Sequence, residues 1–127
     1  MEKKINNQNK IDQMEQWLKD YFLNPQTQQE DYALFKLDIY EADEHWIVEV
    51  ILNDYCCADI RVRLERSLLI ITAEKQGYPP FRKERSIHFP FSIIHHDVTA
   101  AFQHGILEII IPKRENGVGK DRYIPLP

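Results

Sequence analysis

Five histidines are the side chains in this sequence best suited to binding a metal or transferring protons near neutral pH. His95 and His96 are adjacent, and His88 and His104 lie on either side of this pair. Neighbouring residues of a strand point to opposite faces, so this spacing does not place two ligands side by side. We expect the histidines to lie in solvent or in turns, and we predict no metal site and at most a weak pH dependence.

The other candidates for chemistry are two cysteines and a glycine-lysine segment. Cys56 and Cys57 are adjacent, a spacing that suits neither a disulfide between them nor a zinc site. A nucleophilic cysteine would need a base that the sequence does not place. The segment "GVGKD" at 117–121 lacks the first glycine and the Ser or Thr of a phosphate-binding loop, and no strand and helix flank it. We predict no enzyme and no cofactor.

Composition narrows the class of protein and its partners. The chain has 127 residues, of which 43% are hydrophobic and 28% charged, which is typical of one soluble domain with tails. There are 16 basic and 20 acidic residues, so no concentrated cationic face for nucleic acid is expected. No apolar run approaches the roughly 20 residues that span a bilayer. We predict no nucleic-acid partner, no membrane partner and a cytoplasmic location.

Near the N-terminus, the segment "KIDQMEQWLKDYFL" at 10–23 has apolar residues at spacings of three and four, which places them on one face of a helix. These residues are Ile11, Met14, Trp17, Leu18, Tyr21 and Phe22. We predict a helix over 11–23 that ends before Pro25, because the residue before proline disfavours helix. The polar residues 1–10 are predicted to be a disordered tail, and 26–31 a polar linker.

From Ala33 onward the apolar residues recur every second position. Segments such as "LFKLDIYEA", "HWIVEVIL", "DIRVRLE" and "LLIITAE" predict about seven short strands with no helix between them, which favours an antiparallel β-sandwich. Pro90 confines the run "FRKERSIHFPFSI" at 81–93 to a sheet edge or a bulge. We therefore divide the chain into an arm at 1–32, a sandwich domain at 33–113 and a tail at 114–127.

These segments, in this order, resemble the α-crystallin domain of small heat-shock proteins. The resemblance covers residues 33–113 and is most specific in "AAFQHGILEIIIPK" at 100–113. There Ala100, Gly105, Ile106 and Leu107 match the family's hairpin pattern, which leads into an apolar strand ending in Pro-Lys. The resemblance implies an all-β, immunoglobulin-like antiparallel β-sandwich with a short N-terminal helical arm and a flexible C-terminal tail. Leu107, Ile109 and Ile111 are expected to face the core, with Glu108 outward.

The last residues, "RYIPLP", resemble the family's C-terminal motif, here Ile124, Pro125 and Leu126. In an extended segment, residues i and i+2 project to the same side, so Ile124 and Leu126 form two adjacent apolar plugs, and Pro125 presets the backbone. The alternative is a frayed apolar end. By resemblance, the motif docks on a neighbouring subunit between the strands at 59–65 and 98–103. The matching groove residues are Val62, Leu64, Val98 and Ala100, and the charged residues 114–122 are expected to be a solubilising spacer.

The dimer interface departs from the family pattern. The link at 75–80 is too short for the swapped strand of many bacterial members. The arginine usual in the following strand falls on Phe89, and Pro90 removes a backbone donor beside it. We expect dimerisation through this edge to be weak or in a different register.

The resemblance implies an ATP-independent holding chaperone of the stress response, which binds unfolding client proteins and self-associates into a dimer or a larger homo-oligomer. The arm has three interpretations: it packs on its own domain, on other subunits, or on clients. Its client-binding residues would be Met14, Trp17, Leu18, Tyr21 and Phe22. One alternative function is a structural protein such as a spore-coat component, located in the coat. Another is a CS-type co-chaperone adaptor, which the complete hairpin pattern and the terminal Ile-Pro-Leu count against.

Overall fold

Two four-stranded antiparallel sheets form the body of the computed structural model, which describes residues 2–77 and 81–127, with side chains from Lys10 onward. The elements are α1 (Glu2–Leu23), α2 (Pro25–Ala33), β1 (Leu37–Glu41), β2 (His45–Ile51), β3 (Ile60–Glu65), β4 (Leu68–Lys75), β5 (Phe81–His88), β6 (Thr99–Gln103), β7 (Ile106–Pro112) and β8 (Arg122–Ile124). One sheet has the order β1-β2-β7-β6 and the other β5-β4-β3-β8. The predicted antiparallel β-sandwich is confirmed.

The core lies between the sheets because each strand alternates buried and outward residues. Leu107, Ile109 and Ile111 of β7 are 0% exposed, whereas Glu108 is exposed, as predicted. Trp46 and Val48 of β2 are equally buried. Each fully buried side chain of this size stabilises the fold by roughly 1.5–3 kcal/mol before entropy is counted. The apolar strand that ends at Pro112 is thus the central element of the core.

A tight hairpin joins β6 to β7 at His104 and Gly105. Both residues have positive φ angles, 54° and 77°. The Gly105 carbonyl accepts a hydrogen bond from the backbone N of Leu52 at 2.7 Å. A Cβ on Gly105 would lie 2.2 Å from Oδ1 of Asn53, so the backbone conformation and the packing both require glycine. The predicted hairpin is confirmed.

The structure of the arm differs from the prediction on both sides of the predicted helix at 11–23. Helix α1 begins at Glu2, so the prediction of a disordered tail over residues 1–10 is wrong for the described part. Lys, Gln and Glu have good helix propensity, and a helix can therefore extend past its apolar stripe. Helix α2 replaces the expected linker, because Asn24 caps it by accepting a hydrogen bond from Gln26 N at 2.9 Å and Pro25 suits its first position.

Strand β5 lies at the edge of its sheet, in agreement with the effect predicted for Pro90. It ends at His88, and the backbone N of Phe89 donates a hydrogen bond to Ser67 O at 2.9 Å. Phe89 is 2% exposed. Residues 78–80 of the predicted short loop lie outside the described residues. Of the described helices, none is both long and apolar enough to span a membrane.

Candidate functional site: the groove covered by the arm and the tail

The C-terminal strand β8 lies along β3 of the same chain. Its residues pair antiparallel with that strand, Arg122 with Leu64, Tyr123 with Arg63 and Ile124 with Val62. Ile124 is 5% exposed, so its side chain is buried against the sandwich. The predicted motif therefore pairs with β3 of its own chain, and docking on a neighbouring subunit stays a prediction.

The predicted groove residues are all buried, and they come from both sheets. Val62 and Leu64 lie on β3, Ala100 lies on β6, and Val98 directly precedes β6. The residues that follow β8 line an open cleft of about 410 Å³ together with Val62. In that cleft Leu126 is half-buried against the core. Of the four predicted groove residues, Val62 alone lines this cleft.

Hydrogen bonds fix the tail that leads to β8. Backbone N of Gly117 donates to His95 O at 2.9 Å, and backbone N of Gly119 donates to Ile94 O at 3.0 Å. The Arg122 guanidinium donates to Ile94 O at 3.0 Å and to His96 O at 2.7 Å. The residues predicted to be a solubilising spacer are thus hydrogen-bonded to the domain, through their backbone and through the Arg122 side chain.

The two glycines of "GVGKD" allow the tail to pack closely on the domain. A Cβ on Gly117 would lie 2.6 Å from the carbonyl carbon and oxygen of His96. Gly119 has a φ of 69°, a conformation that favours glycine. The carboxylate of Asp121 accepts a hydrogen bond from Arg66 N at 3.0 Å. The segment that partly matches a phosphate-binding loop is thus a close-packed turn.

The arm packs on its own domain, the first of its three interpretations. Met14 is 1% exposed and belongs to the core. The Trp17 ring stacks on Phe89 of the sandwich, with centroids 5.2 Å apart, and on Tyr21 at 5.0 Å. Each aromatic pair of this kind contributes about 0.5–1.5 kcal/mol beyond the area it buries.

The remaining predicted client-binding residues are less enclosed. Leu18 and Tyr21 are half-buried against the core, and Phe22 is 39% exposed. The apolar face predicted for α1 is therefore real, and most of it is covered by the sandwich.

A buried arginine of β5 connects the arm to the sheet edge. Arg85 is 2% exposed, and its Nη1 lies 2.5 Å from Oδ1 of Asp31 and 2.8 Å from Phe35 O. Its Nη2 donates to the Tyr21 hydroxyl at 2.9 Å, and its Nε lies 3.2 Å from Oε2 of Glu30. The two carboxylates of α2 neutralise a guanidinium that burial would otherwise make unfavourable.

This cluster also affects Tyr21. Burial raises the pKa of the Tyr21 hydroxyl, although the neighbouring Arg85 opposes that shift. The hydroxyl therefore stays protonated and accepts the guanidinium hydrogen bond as a neutral group. The polar contacts between the sheet edge and the arm therefore come from side chains of β5, chiefly Arg85, rather than from strand pairing.

His96 lies where the arm, the sandwich and the tail meet, and of the two expected positions, solvent or a turn, it has the second. It is 0% exposed, and its Nδ1 lies 2.6 Å from Pro112 O. Its Nε2 lies 3.5 Å from Nζ of Lys10, which also forms an ion pair with Glu115. Burial, foremost, lowers the pKa of His96 below the ordinary 6.5.

Sequence reasoning missed Arg85 and His96 as positioning residues. Alternation along β5 would have placed Arg85 on the inward face with Ile87, and Glu30-Asp31 in the arm is an obvious counter-charge. No signal in the sequence marks His96, because its partners Lys10 and Pro112 are distant along the chain. Cys56 and Cys57 are free thiols outside these contacts.

The chain is similar to proteins of known family. No family model matches the chain. A probable Hsp20 family chaperone of Onion yellows phytoplasma (strain OY-M) is 25% identical over 134 residues, which cover 94% of this chain and 95% of that protein. Small heat shock protein C2 of Rickettsia felis is 31% identical over 97 residues, covering 65% of this chain and 62% of that protein.

The fold has a solved counterpart. The crystal structure of hspA from Xanthomonas axonopodis matches with a TM-score of 0.51 and 25% sequence identity. The match covers 62% of this chain and 92% of that chain.

Proposed function

Because the chain belongs to the small heat-shock protein family, we propose that it is an ATP-independent holding chaperone for unfolding proteins. The observation that carries the proposal is the docking of an aromatic helix face, with Met14, Trp17 and Tyr21, on the sandwich. When α1 leaves the sandwich, two apolar surfaces become accessible together: its own face and the core edge around Phe89. An unfolding protein that exposes apolar side chains can bind either surface.

Strand addition provides a second binding mode. Strand β8 covers the edge of β3 with three residue pairs. Its release frees main-chain donors and acceptors beside the pockets that hold Ile124 and Leu126. An extended client segment can pair with these main-chain groups and place apolar side chains at i and i+2 in the two pockets. Capture of such segments prevents them from pairing with one another, which is the route to aggregation.

We also propose that β8 exchanges between subunits to form larger assemblies. The segment from Lys113 to β8 is held by a few backbone hydrogen bonds, so little is lost when the same contacts form with a second copy. The identical groove and motif in each copy make such an exchange self-complementary. This proposal extends the prediction that Ile124 and Leu126 dock on a neighbour.

The holding activity is tested by light scattering of a heat-labile enzyme that is heated with and without the protein at equal mass. We expect suppression of scattering, with no change when ATP is added, because binding of unfolded chains requires no nucleotide. Unaltered scattering would contradict the chaperone function.

Subunit exchange is tested with engineered cysteines in a C56S/C57S background. Val62 and Ile124 are directly opposed, so V62C and I124C have strand-pair spacing compatible with a disulfide. We expect a covalent dimer when the two single-cysteine variants are mixed, and V118C in place of I124C serves as the control because Val118 is 70% exposed and unpaired with β3. Failure of the V62C and I124C mixture to exceed this control would show that the tail docks only within its own chain.

A further inference from the structure

Three parts of the chain converge on the ring of His96. Lys10 of α1 and Pro112 at the end of β7 contact the ring, and Glu115 of the tail reaches it through its ion pair with Lys10. The ring also packs against Phe91, with centroids 4.9 Å apart, and against Trp46 at 6.3 Å. The His96 carbonyl accepts a hydrogen bond from the guanidinium of Arg122, the first residue of β8. No solvent reaches this side chain, which is 0% exposed.

The hydrogen-bond partners define the protonation state of the ring. A carbonyl oxygen only accepts, so the 2.6 Å contact with Pro112 O requires a proton on Nδ1. The neutral ring then has an unprotonated Nε2, which faces the Lys10 ammonium at 3.5 Å. A second proton on Nε2 would place a positive charge next to the Lys10 ammonium, although the Glu115 carboxylate and the backbone of Arg114 favour that charge.

We propose that His96 is an acid-operated latch, which holds the arm and the tail on the sandwich when its ring is neutral and releases them when the ring is protonated. The proposal concerns the regulation of the surfaces described above, and its effect on client binding rests on the proposed function. Release itself is a property of this chain alone.

The charges around the ring favour this direction. Burial and Lys10 of α1 oppose a positive charge on His96. The charge is favoured by the Pro112 carbonyl of β7 and, in the tail, by Glu115 and the backbone of Arg114, but the net effect still lowers the pKa. The Glu115 carboxylate is already paired with Lys10. The Arg122 guanidinium of β8 bonds the His96 carbonyl and adds a further cation nearby, and His95 precedes the ring on the same turn.

The sign of the pH dependence follows by linkage. The docked state holds His96 with a pKa below 6.5, whereas the released state exposes it with the ordinary value. The released state therefore binds more protons as the pH falls below that value, and docking weakens. One proton changes the docking equilibrium by at most about tenfold for each pH unit.

Hydrogen exchange of the wild-type chain at pH 7.5 and 5.5, corrected for intrinsic exchange, measures the release. We expect faster exchange at pH 5.5 in the peptides that cover residues 10–23 and 115–126, and little change in β2 and β7. His96→Asn keeps a donor for Pro112 O and removes the titration, so the acid effect should disappear. His88→Asn removes an exposed histidine and should keep it. An acid effect that survives in H96N would overturn the proposal.

A second measurement tests the latch on the wild-type chain, even if H96N does not fold. The histidine ring carbons of the wild-type chain are followed by NMR against pH, with assignment by comparison with H88N. We expect a ring other than that of His88 to titrate below the ordinary value of 6.5. Titration of every ring at the ordinary value, or equal exchange of both peptides at the two pH values, would contradict the latch. An acid release without any suppression of client scattering would instead contradict the holding function and leave the latch intact.

Discussion

Oδ1 of Asp31 lies 2.5 Å from Nη1 of Arg85, and this ion pair joins the second helix of the arm to the edge strand β5. The same guanidinium also contacts Glu30 and Tyr21 of the arm. A single buried side chain therefore couples the position of both helices to the sandwich. Polar contacts hold the arm near the C-terminal end of α1, through Arg85, and in the middle of α1, through Lys10 and His96.

Replacement of Arg85 by methionine should release this end of the arm. It leaves the Asp31 and Glu30 carboxylates and the Phe35 carbonyl without their partner, and because both carboxylates are about a third exposed we expect a cost of about 1–3 kcal/mol. Urea unfolding of R85M should show that loss in the free energy of unfolding. The control is R82M, whose side chain is 55% exposed and should change the value by less than about 0.5 kcal/mol. Equal stability of the two variants would mean that Arg85 does not position the arm.

Replacement of Gly105 by alanine should destabilise the sandwich. The new Cβ would meet Asn53 at 2.2 Å, and the φ of 77° disfavours any side chain. We expect a loss of more than about 1 kcal/mol in thermal or urea unfolding. G77A is the matched control, since nothing lies within 4 Å of its Cβ position. A G105A variant as stable as G77A would contradict the tight hairpin.

Replacement of Trp17 by alanine tests the contribution of this side chain to stability and, separately, to client binding. Loss of the stacks on Phe89 and Tyr21 should lower the free energy of unfolding by roughly 2 kcal/mol. L23A, at a residue that is 81% exposed, should have little effect.

If Trp17 binds clients, W17A should also suppress scattering less well than L23A, although its arm is less firmly docked. Improved suppression by W17A would show that the sandwich surface, rather than the helix face, captures the client.

Replacement of Gly117 by alanine should displace the tail without affecting the core. The Cβ would lie 2.6 Å from the His96 carbonyl, and the Gly117 hydrogen bond to His95 O would lengthen. Hydrogen exchange in residues 122–126 should rise, while that of β7 stays constant. V118A, at an exposed neighbour, should leave both unchanged. Unaltered exchange at β8 in G117A would mean that β3 pairing alone holds the tail.

The strands and the hairpin could be predicted from the sequence because their signals are local. The two-residue alternation of β3 and β7 fixes which side chains face the core, and the glycine at 105 marks the turn. The same logic located the apolar face of α1 and the end of that helix at Leu23. Helix α2 was missed because it has no apolar periodicity, and only its cap at Asn24 indicates a helix.

The sequence by itself determined the sandwich, the apolar helix face and the two plugs of the C-terminal motif, since each depends on the period of nearby residues. Only the tertiary structure decided what these parts contact. Arg85 meets Asp31, His96 meets Lys10, and Ile124 meets Val62 across long stretches of chain. Such pairs depend on where the whole chain turns, and that is set by the sum of many weak contacts rather than by any short segment.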